Sequence, residues 1–569
     1  MKIIKHFLLF GAVIFSINFL FAADEVSMRP WRGTSNEFGL HLDDPILKAI
    51  VLVGNEKDFS KVKKNEIKGV VVYNLDIPSG EGNLKAVLKP YLHSTPLRKE
   101  SIDKIKHTII EYFQDKGRPI VAVYTPSQDI SSGILKFVVL EARLGKVYCT
   151  GNKWFKSKEL IGDIRIKKGD VIRSEVLTKD LYWLNRNPFR TVQAIYTPGV
   201  KEGTTDIELL VSDRIPFRLY TGGDNTGTDI TDEYRLFGGL NVGSIFGSNK
   251  TFSYQFITSP HYKQFYAHTA HFTWPLFWRH ILVVYGGYSH VNDYYEIVEA
   301  EEKFHIKGIS KQVSVRYEIP FGARGVLLQE VALGFDFKRT NNTLEYGGLP
   351  LEGKYVNLSQ FMASYNLGWR TKRLTLSFHI EGFVSPGRMF SDQENLDFQT
   401  LRPNARNQYF YTRASGSLLW EIFYGFHIDN YLRGQYATEN LLPSEEYGLG
   451  GYDTVRGYQE RIVNVDNTFI YNLEFKTPKV QPLKWQTNGR MEDSLEFLAF
   501  LDLAWGDKHK PIEAEVNDRF LLGVGPGIRY SIIPYLTFRC DWGFRLRDLS
   551  KTGLEMPHNR GHFSIILGF

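Results

Sequence analysis

Cysteine is nearly absent from this chain of 569 residues, which has two, Cys149 and Cys540. Two thiols exclude a disulfide-stapled scaffold, and neither stands in the Cys-x-x-Cys spacing that zinc or dithiol chemistry uses. Charge of one sign is also scarce. The 69 Lys and Arg against 63 Asp and Glu leave a net +6, too small an excess to argue for a nucleic-acid partner. Long apolar runs are confined to the first residues; the longest later one, near Ile281 and Val284, falls far short of the ~20 residues a membrane helix needs. A mean hydropathy of −0.25 agrees in excluding a helical membrane protein. Membrane residence beyond the first residues must therefore use strands. The Gly-x-Ser-x-Gly elbow, the His-Glu-x-x-His helix and the Gly-x-x-x-x-Gly-Lys-Ser/Thr phosphate loop are missing, which leaves no catalytic set, no cofactor and no nucleotide site. His261, His268 and His271 are near one another and His558 and His562 lie close together, but without carboxylate companions they read as ordinary barrel or loop histidines, not a metal site.

What is abundant leans towards strands and turns: 40 Phe, 31 Tyr and 10 Trp, with 50 Gly. At the start, Lys2 and Lys5 precede an apolar run over 7–21, interrupted by Ser16 and Asn18 and followed by Ala22, Ala23 and Asp24. That is the layout of a secretory signal peptide over 1–23, cleaved after Ala22 or Ala23; its rival is an uncleaved anchor. Residues 24–65 hold Pro, Gly and mixed charge without a helical period and read as a loosely structured lead-in. Two small α+β modules are expected next, at 66–145 and 146–214. In the first, a strand at 70–73 leads to a helix in which Ile102, Ile105, Ile109 and Tyr112 recur at three- and four-residue steps, stopped by Gly117. Strands at 120–124 and 134–140 follow. The second restarts at Lys146 with a strand to Cys149, helical stretches at 157–161 and 175–185, and strands at 192–196 and 206–212.

From 217 to 569 the chain alternates with a period of two. Leu374, Leu376, Phe378 and Ile380 share one face, Thr375, Ser377, His379 and Glu381 the other. Val313, Val315, Tyr317 and Ile319 oppose Gln312, Ser314, Arg316 and Glu318, and Phe538, Cys540, Trp542 and Phe544 oppose Arg539, Asp541 and Gly543. A soluble sandwich would alternate in the same way. Three observations favour a membrane barrel over 215–569. Several runs approach the ~9–11 residues of a tilted membrane strand. Aromatics recur at strand ends, as a girdle requires. The final residues, with Phe563, Ile565, Leu567 and Phe569 on one face, resemble the terminal strand of bacterial outer-membrane proteins.

Particular residues then resemble one family. Pro126, Gln128 and Asp129, Gly133 and Leu135, and Val138, Val139 and Glu141 in the first module, with Leu184, Asn185, Arg186 and Pro188, Pro198 and Gly199, and Gly203, Thr205 and Asp206 in the second, look like the paired POTRA domains of two-partner-secretion transporters. Residues 442–458, with Gly448, Gly450, Gly451 and Gly457, resemble that family's loop signature, whose core is Val455-Arg456-Gly457-Tyr458. From the residues alone this is a surface turn with a solvated Arg456, contributing ~0–1 kcal/mol through any exposed ion pair. The resemblance implies instead a sixth extracellular connection folded back into the barrel, its arginine contacting an aspartate on the inner wall. Asp502 matches that aspartate. Alternation supports this, because Ala499, Leu501, Leu503 and Trp505 share the apolar face and turn Asp502 inward with Glu496 and Gly506. Where the family usually has Gly, this chain has Ala504. Residues 224–228, 522–529 and 541–543 resemble the family's first and last strands, and 24–65 show no clear pore-plugging helix.

The resemblance implies a mainly β protein: sixteen antiparallel strands closed as an outer-membrane barrel, preceded by two periplasmic POTRA domains. It implies export of a haemolysin- or adhesin-type exoprotein, taken up as an unfolded client, with outer-membrane lipid around the barrel and neither nucleic acid nor nucleotide as a partner. The alternatives are a barrel-assembly insertase, which usually carries more POTRA domains, and a passive porin, which has no use for them. Exchanging the charges, Arg456→Asp with Asp502→Arg, is expected to restore part of what either change loses.

Overall fold

The computed structural model describes residues 44–63, 67–228, 231–297, 302–322, 325–341, 355–488, 491–512, 520–548 and 557–569. The expected signal peptide, and residues 24–43 and 64–65 of the lead-in over 24–65, lie outside them. The described chain divides after Arg214 into two compact units, the α+β modules and the barrel.

The first module contains β1 (Ala49–Val53), β2 (Gly69–Tyr73), helices Glu81–Leu88 and Lys99–Asp115, β3 (Val121–Tyr124) and β4 (Ile134–Glu141), in the sheet order β2-β1-β4-β3. The long helix forms where the apolar spacing requires it. Ile105, Ile109, Tyr112 and Phe113 are buried under the sheet, and the helix closes in a Schellman turn: Gly117, at φ +82°, donates to Gln114 O and Arg118 donates to Phe113 O. The boundary at 66 needs correction. β1 is an interior strand of the sheet, paired in parallel with β2 and β4, with Ile50 and Leu52 in one buried cluster and Val51 and Val53 in another. A strand covered on both faces shows an apolar run without alternation, so the period-two signal is lost. The second module contains β5 (Arg143–Thr150), helices Ser157–Gly162 and Ser174–Leu184, β6 (Arg190–Pro198) and β7 (Thr204–Asp213), in the order β5-β7-β6. Because β5 begins at Arg143, a boundary at 145 would cut a strand.

The barrel strands are β8 (Phe217–Asp224), β9 (Arg235–Val242), β10 (Thr251–Thr258), β11 (Phe265–Pro275), β12 (Ile281–Ile297), β13 (Glu302–Pro320), β14 (Leu327–Thr340), β15 (Val356–Arg370), β16 (Leu374–Pro386), β17 (Gln408–Glu421) and β18 (His427–Ala437). A two-stranded ribbon, β19 (Tyr447–Leu449) with β20 (Val463–Val465), lies in the next connection; β21 (Asn467–Lys476), β22 (Asp493–Asp507), β23 (Phe520–Ile532), β24 (Leu536–Arg545) and β25 (Asn559–Gly568) complete the wall. Sixteen strands pair antiparallel with their neighbours, and β25 closes on β8 from Ser564 opposite Asp224 to Gly568 opposite Tyr220. Closure removes the unpaired edges that a bilayer does not tolerate. The alternation sorts the side chains. Val313, Leu333, Phe361, Trp505 and Trp542 point out and are about half exposed, whereas Ser314, Arg316, Asp502 and Asp541 point in and are buried.

Candidate functional site

Residues 442–458 do not form a solvated turn. They enter the barrel between β18 and β21 and pack against its inner wall, with Val455 and Tyr458 buried among Tyr447, Leu449, Val463, Val465, Ile470, Ala504 and Leu521. Local backbone chemistry permits the path: Gly450, Gly451 and Gly457 have φ values of +94°, +100° and +97°, a region L side chains rarely adopt. Glycines on the wall let the loop come close. A Cβ on Gly523 would lie 2.1 Å from Arg456 O, and one on Gly543 would lie 2.3 Å from Gly457 N. Ala504, where the resemblance led one to expect Gly, accommodates the loop with its methyl fully buried in that cluster.

Arg456 and Asp502 are brought together. Arg456 Nε donates to Asp502 Oδ2 at 2.7 Å, Nη2 to Oδ1 at 2.8 Å, and the Arg456 backbone N–H to Oδ2 at 3.0 Å. This is the two-pronged geometry that a guanidinium supplies and an ammonium does not. The same guanidinium lies flat on Phe500, 3.6 Å from the ring centre, and Nη1 donates to Glu474 at 2.6 Å with Asp541 at 3.4 Å. Asn472 from β21 donates to Asp502 Oδ1 at 2.7 Å and to Thr454 O at 2.6 Å, tying loop to wall a second time. Gly457 N donates to His562 Nε2 at 3.1 Å, and the Tyr458 hydroxyl donates to Arg547 O at 2.7 Å. Burial opposes the charge on Arg456, but Asp502, Glu474 and Asp541 outweigh it and hold the group protonated.

The surrounding charges compensate one another. Arg529 pairs with Asp541 at 2.6 Å and Arg539 does so at 2.8 Å; Lys476 bridges Glu474 at 2.9 Å and Asp429 at 2.6 Å. Arg539 also stacks on Tyr452 of the loop, 3.6 Å from the ring centre. Alternation had placed Asp502 and Asp541 on the lumen face; their convergence with Glu474 on one arginine depends on strand stagger, which the sequence does not print. His562, read from sequence as an ordinary histidine, is fully buried and accepts from the loop. The contacts also change one expectation. An aspartate at 456 would face Glu474 and Asp541, so the charge exchange with Asp502 should not restore the seat. Among the described residues, no group of three or more His, Cys, Asp or Glu side chains is arranged to hold a metal ion.

Elsewhere in the loop, Glu460 lies against Gly451 and accepts from the Tyr452 N–H. Burial, reinforced by Asp453 and Asp224, pushes its carboxyl up to about 8.

A family model described as haemolysin secretion/activation protein ShlB/FhaC/HecB matches residues 203–530. The chain belongs to that family. Its members are two-partner-secretion transporters, which carry exoproteins across the outer membrane. The outer membrane transporter CdiB of Dickeya dadantii is 23% identical over 388 residues, 64% of this chain and 63% of that protein, so the match spans just under two thirds of this relative's length. The heme/hemopexin transporter protein HuxB of Haemophilus influenzae is 20% identical over 408 residues, 69% of this chain and 68% of that protein. Among solved structures, CdiB from Escherichia coli aligns with a TM-score of 0.73 at 15% identity, covering 99% of this chain and 98% of that one. CdiB from Acinetobacter baumannii aligns at 0.67 and 15% identity, covering 100% and 98%. These likenesses show the fold. The chain is thus an outer-membrane barrel of this family, preceded in sequence by two α+β modules.

Proposed function

We propose that this transporter exports one cognate exoprotein of haemolysin or adhesin type, received unfolded by the POTRA modules and passed through the barrel when the loop at 442–458 leaves its seat. In this reading Val455, Arg456, Gly457 and Tyr458 form the seated motif and Asp502 is the lumenal partner of the arginine. One observation carries it: the loop is held in the lumen by packing and by side-chain ion pairs and hydrogen bonds, above all Arg456 to Asp502, and none of these belongs to the strand ladder. A porin has no use for such a seat.

The modules supply the capture step. Among the described residues, each sheet ends in strands that pair with a neighbouring strand on one side only, β2 and β3 in the first and β5 and β6 in the second, with the start of β5 bridged to Val171. Tyr73, Tyr124 and Ile195 on these edges are more than a third exposed. An extended client segment can add to such an edge through main-chain hydrogen bonds, which demand little of its sequence. Outer-membrane lipid covers the apolar outer face of the barrel. The reading includes no reaction catalysed by the chain, no nucleic acid and no nucleotide. Direction comes from the client, because folding at the cell surface makes return unfavourable. A client variant that cannot fold outside should be exported more slowly; export at the full rate would contradict this step. Depletion proteomics separates the alternatives: loss of one secreted protein fits the exporter, and loss of many barrel proteins fits an insertase.

A further inference from the structure

The base of the same connection holds a second buried charge set that the seat does not use. Asp466, the residue before β21, is fully buried and accepts from Arg402 Nη1 at 2.7 Å, Arg402 Nη2 at 2.8 Å, Leu441 N at 2.9 Å and His509 N at 2.9 Å. Arg402 caps the helix Asn395–Leu401; its Nη1 also donates to Leu441 O at 2.7 Å and lies 3.2 Å from Glu446. These groups come from three separate connections. The helix belongs to the one between β16 and β17, Leu441 and Asp466 to the one between β18 and β21, and His509 to the one that follows β22. Antiparallel alternation puts all three at the same end of the barrel.

Asn440 repeats the tie. Its Nδ2 donates to Pro403 O at 3.2 Å and Lys510 O at 3.0 Å, and its Oδ1 accepts from Lys510 N at 2.8 Å. Beneath it, Phe398 and Leu401 of the helix pack with Leu441, Leu442, Tyr409 and Tyr411 in one buried cluster, and Glu445 accepts from the Tyr411 hydroxyl at 2.5 Å. None of the three carboxylates on Arg456 takes part, and Arg402 does not reach Asp502.

We infer that Arg402 and Asp466 are positioning residues that clasp three outer connections into one cover over the barrel mouth, and that this clasp must open, separately from the Arg456 seat, for a client to pass. The inference rests on the export reading. It follows from which segments the pair joins: a two-pronged, charge-assisted contact between connections adds nothing to the strand ladder, which β25 and β8 already close. Its effect is to fix the cover, and a cover with a defined closed state is an element that release can switch.

The test uses the full-length transporter in lipid vesicles, with Ser444→Cys as reporter, since Ser444 lies in the connection between β18 and β21 and is buried at 7% exposure. Labelling by a water-soluble maleimide is compared among the parent, Asp466→Asn, and Arg402→Met combined with Asp466→Leu, which removes both charges while keeping bulk. Labelling should rise at least about tenfold in both variants, as expected when charged hydrogen bonds are lost, with the barrel still resistant to SDS before heating. Unchanged labelling would overturn the inference, and so would loss of the SDS-resistant barrel in both variants, because the pair would then be supporting the wall. Failure of the export reading is a separate result: deletion of the gene would leave the secreted proteins unchanged, whatever the labelling shows.

Discussion

Arg456→Ala is the sharpest perturbation of the seat. In the intact loop the guanidinium supplies Asp502 with bonds of 2.7 and 2.8 Å and lies 3.6 Å from the centre of the Phe500 ring. Removing one partner of a buried pair costs about 3–5 kcal/mol, because the other charge stays buried without compensation. Here the lower end applies. Asp502 keeps Asn472, while Glu474 and Asp541 keep Lys476, Arg529 and Arg539. A loss of about 3 kcal/mol falls on the seated loop and not on the strand ladder, and shifts the seated population by about 150-fold. Arg456→Lys keeps one charge but loses the second prong and the flat stacking, for about 1.5 kcal/mol. The assay is maleimide labelling of a cysteine placed at Thr454, which is buried at 8% exposure beside the motif. Labelling should rise by about two orders of magnitude in Arg456→Ala and by about tenfold in Arg456→Lys, with the barrel inserted in both. Equal labelling of the two variants would refute the two-pronged account, and an unfolded barrel would refute the separation of loop from wall.

Gly523→Ala should unseat the loop without breaking β23, since its Cβ would lie 2.1 Å from Arg456 O; the same labelling assay reads it. Arg456→Asp with Asp502→Arg should secrete no better than either single variant, because Glu474 and Asp541 repel the new aspartate; secretion assays of the three decide it. With its carboxyl raised to about 8 in the seated loop, Glu460 binds a proton more tightly there than when exposed. Seating is therefore favoured most below the ordinary carboxylate range and weakens as pH rises towards about 8. Thr454→Cys labelling, taken relative to that of a fully exposed cysteine at each pH because the thiolate is the reacting form, should increase between pH 5 and 9, and Glu460→Gln should flatten that ratio. In the second α+β module, Asp213 accepts from the backbone N–H groups of Lys153, Trp154 and Phe155 at 3.0, 2.7 and 3.1 Å. Asp213→Ala should cost that segment about 2 kcal/mol, seen as faster hydrogen exchange of the three amides by mass spectrometry.

Most of the barrel was legible because alternation survives where one face meets lipid and the other a polar lumen. The inward turn of Asp502 and Asp541 followed from their neighbours on each strand, and the Leu184–Pro188 and Val455–Tyr458 segments carried the family resemblance. Three kinds of information were not legible. β1 is covered on both faces, so its residues do not alternate. The convergence of Asp502, Glu474 and Asp541 on Arg456 depends on the stagger of β21, β22 and β24, a property of barrel closure and not of any local window. The helix Asn395–Leu401 and the Arg402–Asp466 pair lie in connections between strands, where the period-two signal gives no guide. Their partners are brought together only by the barrel. Gly523 and Gly543 were read as part of terminal-strand motifs; the structure adds their role, which is to leave room for the backbone of the loop.

The most direct test of the central claim compares the extracellular proteins of cells with the gene, without it, and with the Arg456→Ala version. The account predicts that one large secreted protein is lost on deletion and sharply reduced with Arg456→Ala while the barrel remains in the outer membrane. An unchanged set of secreted proteins together with altered small-solute permeability would contradict it.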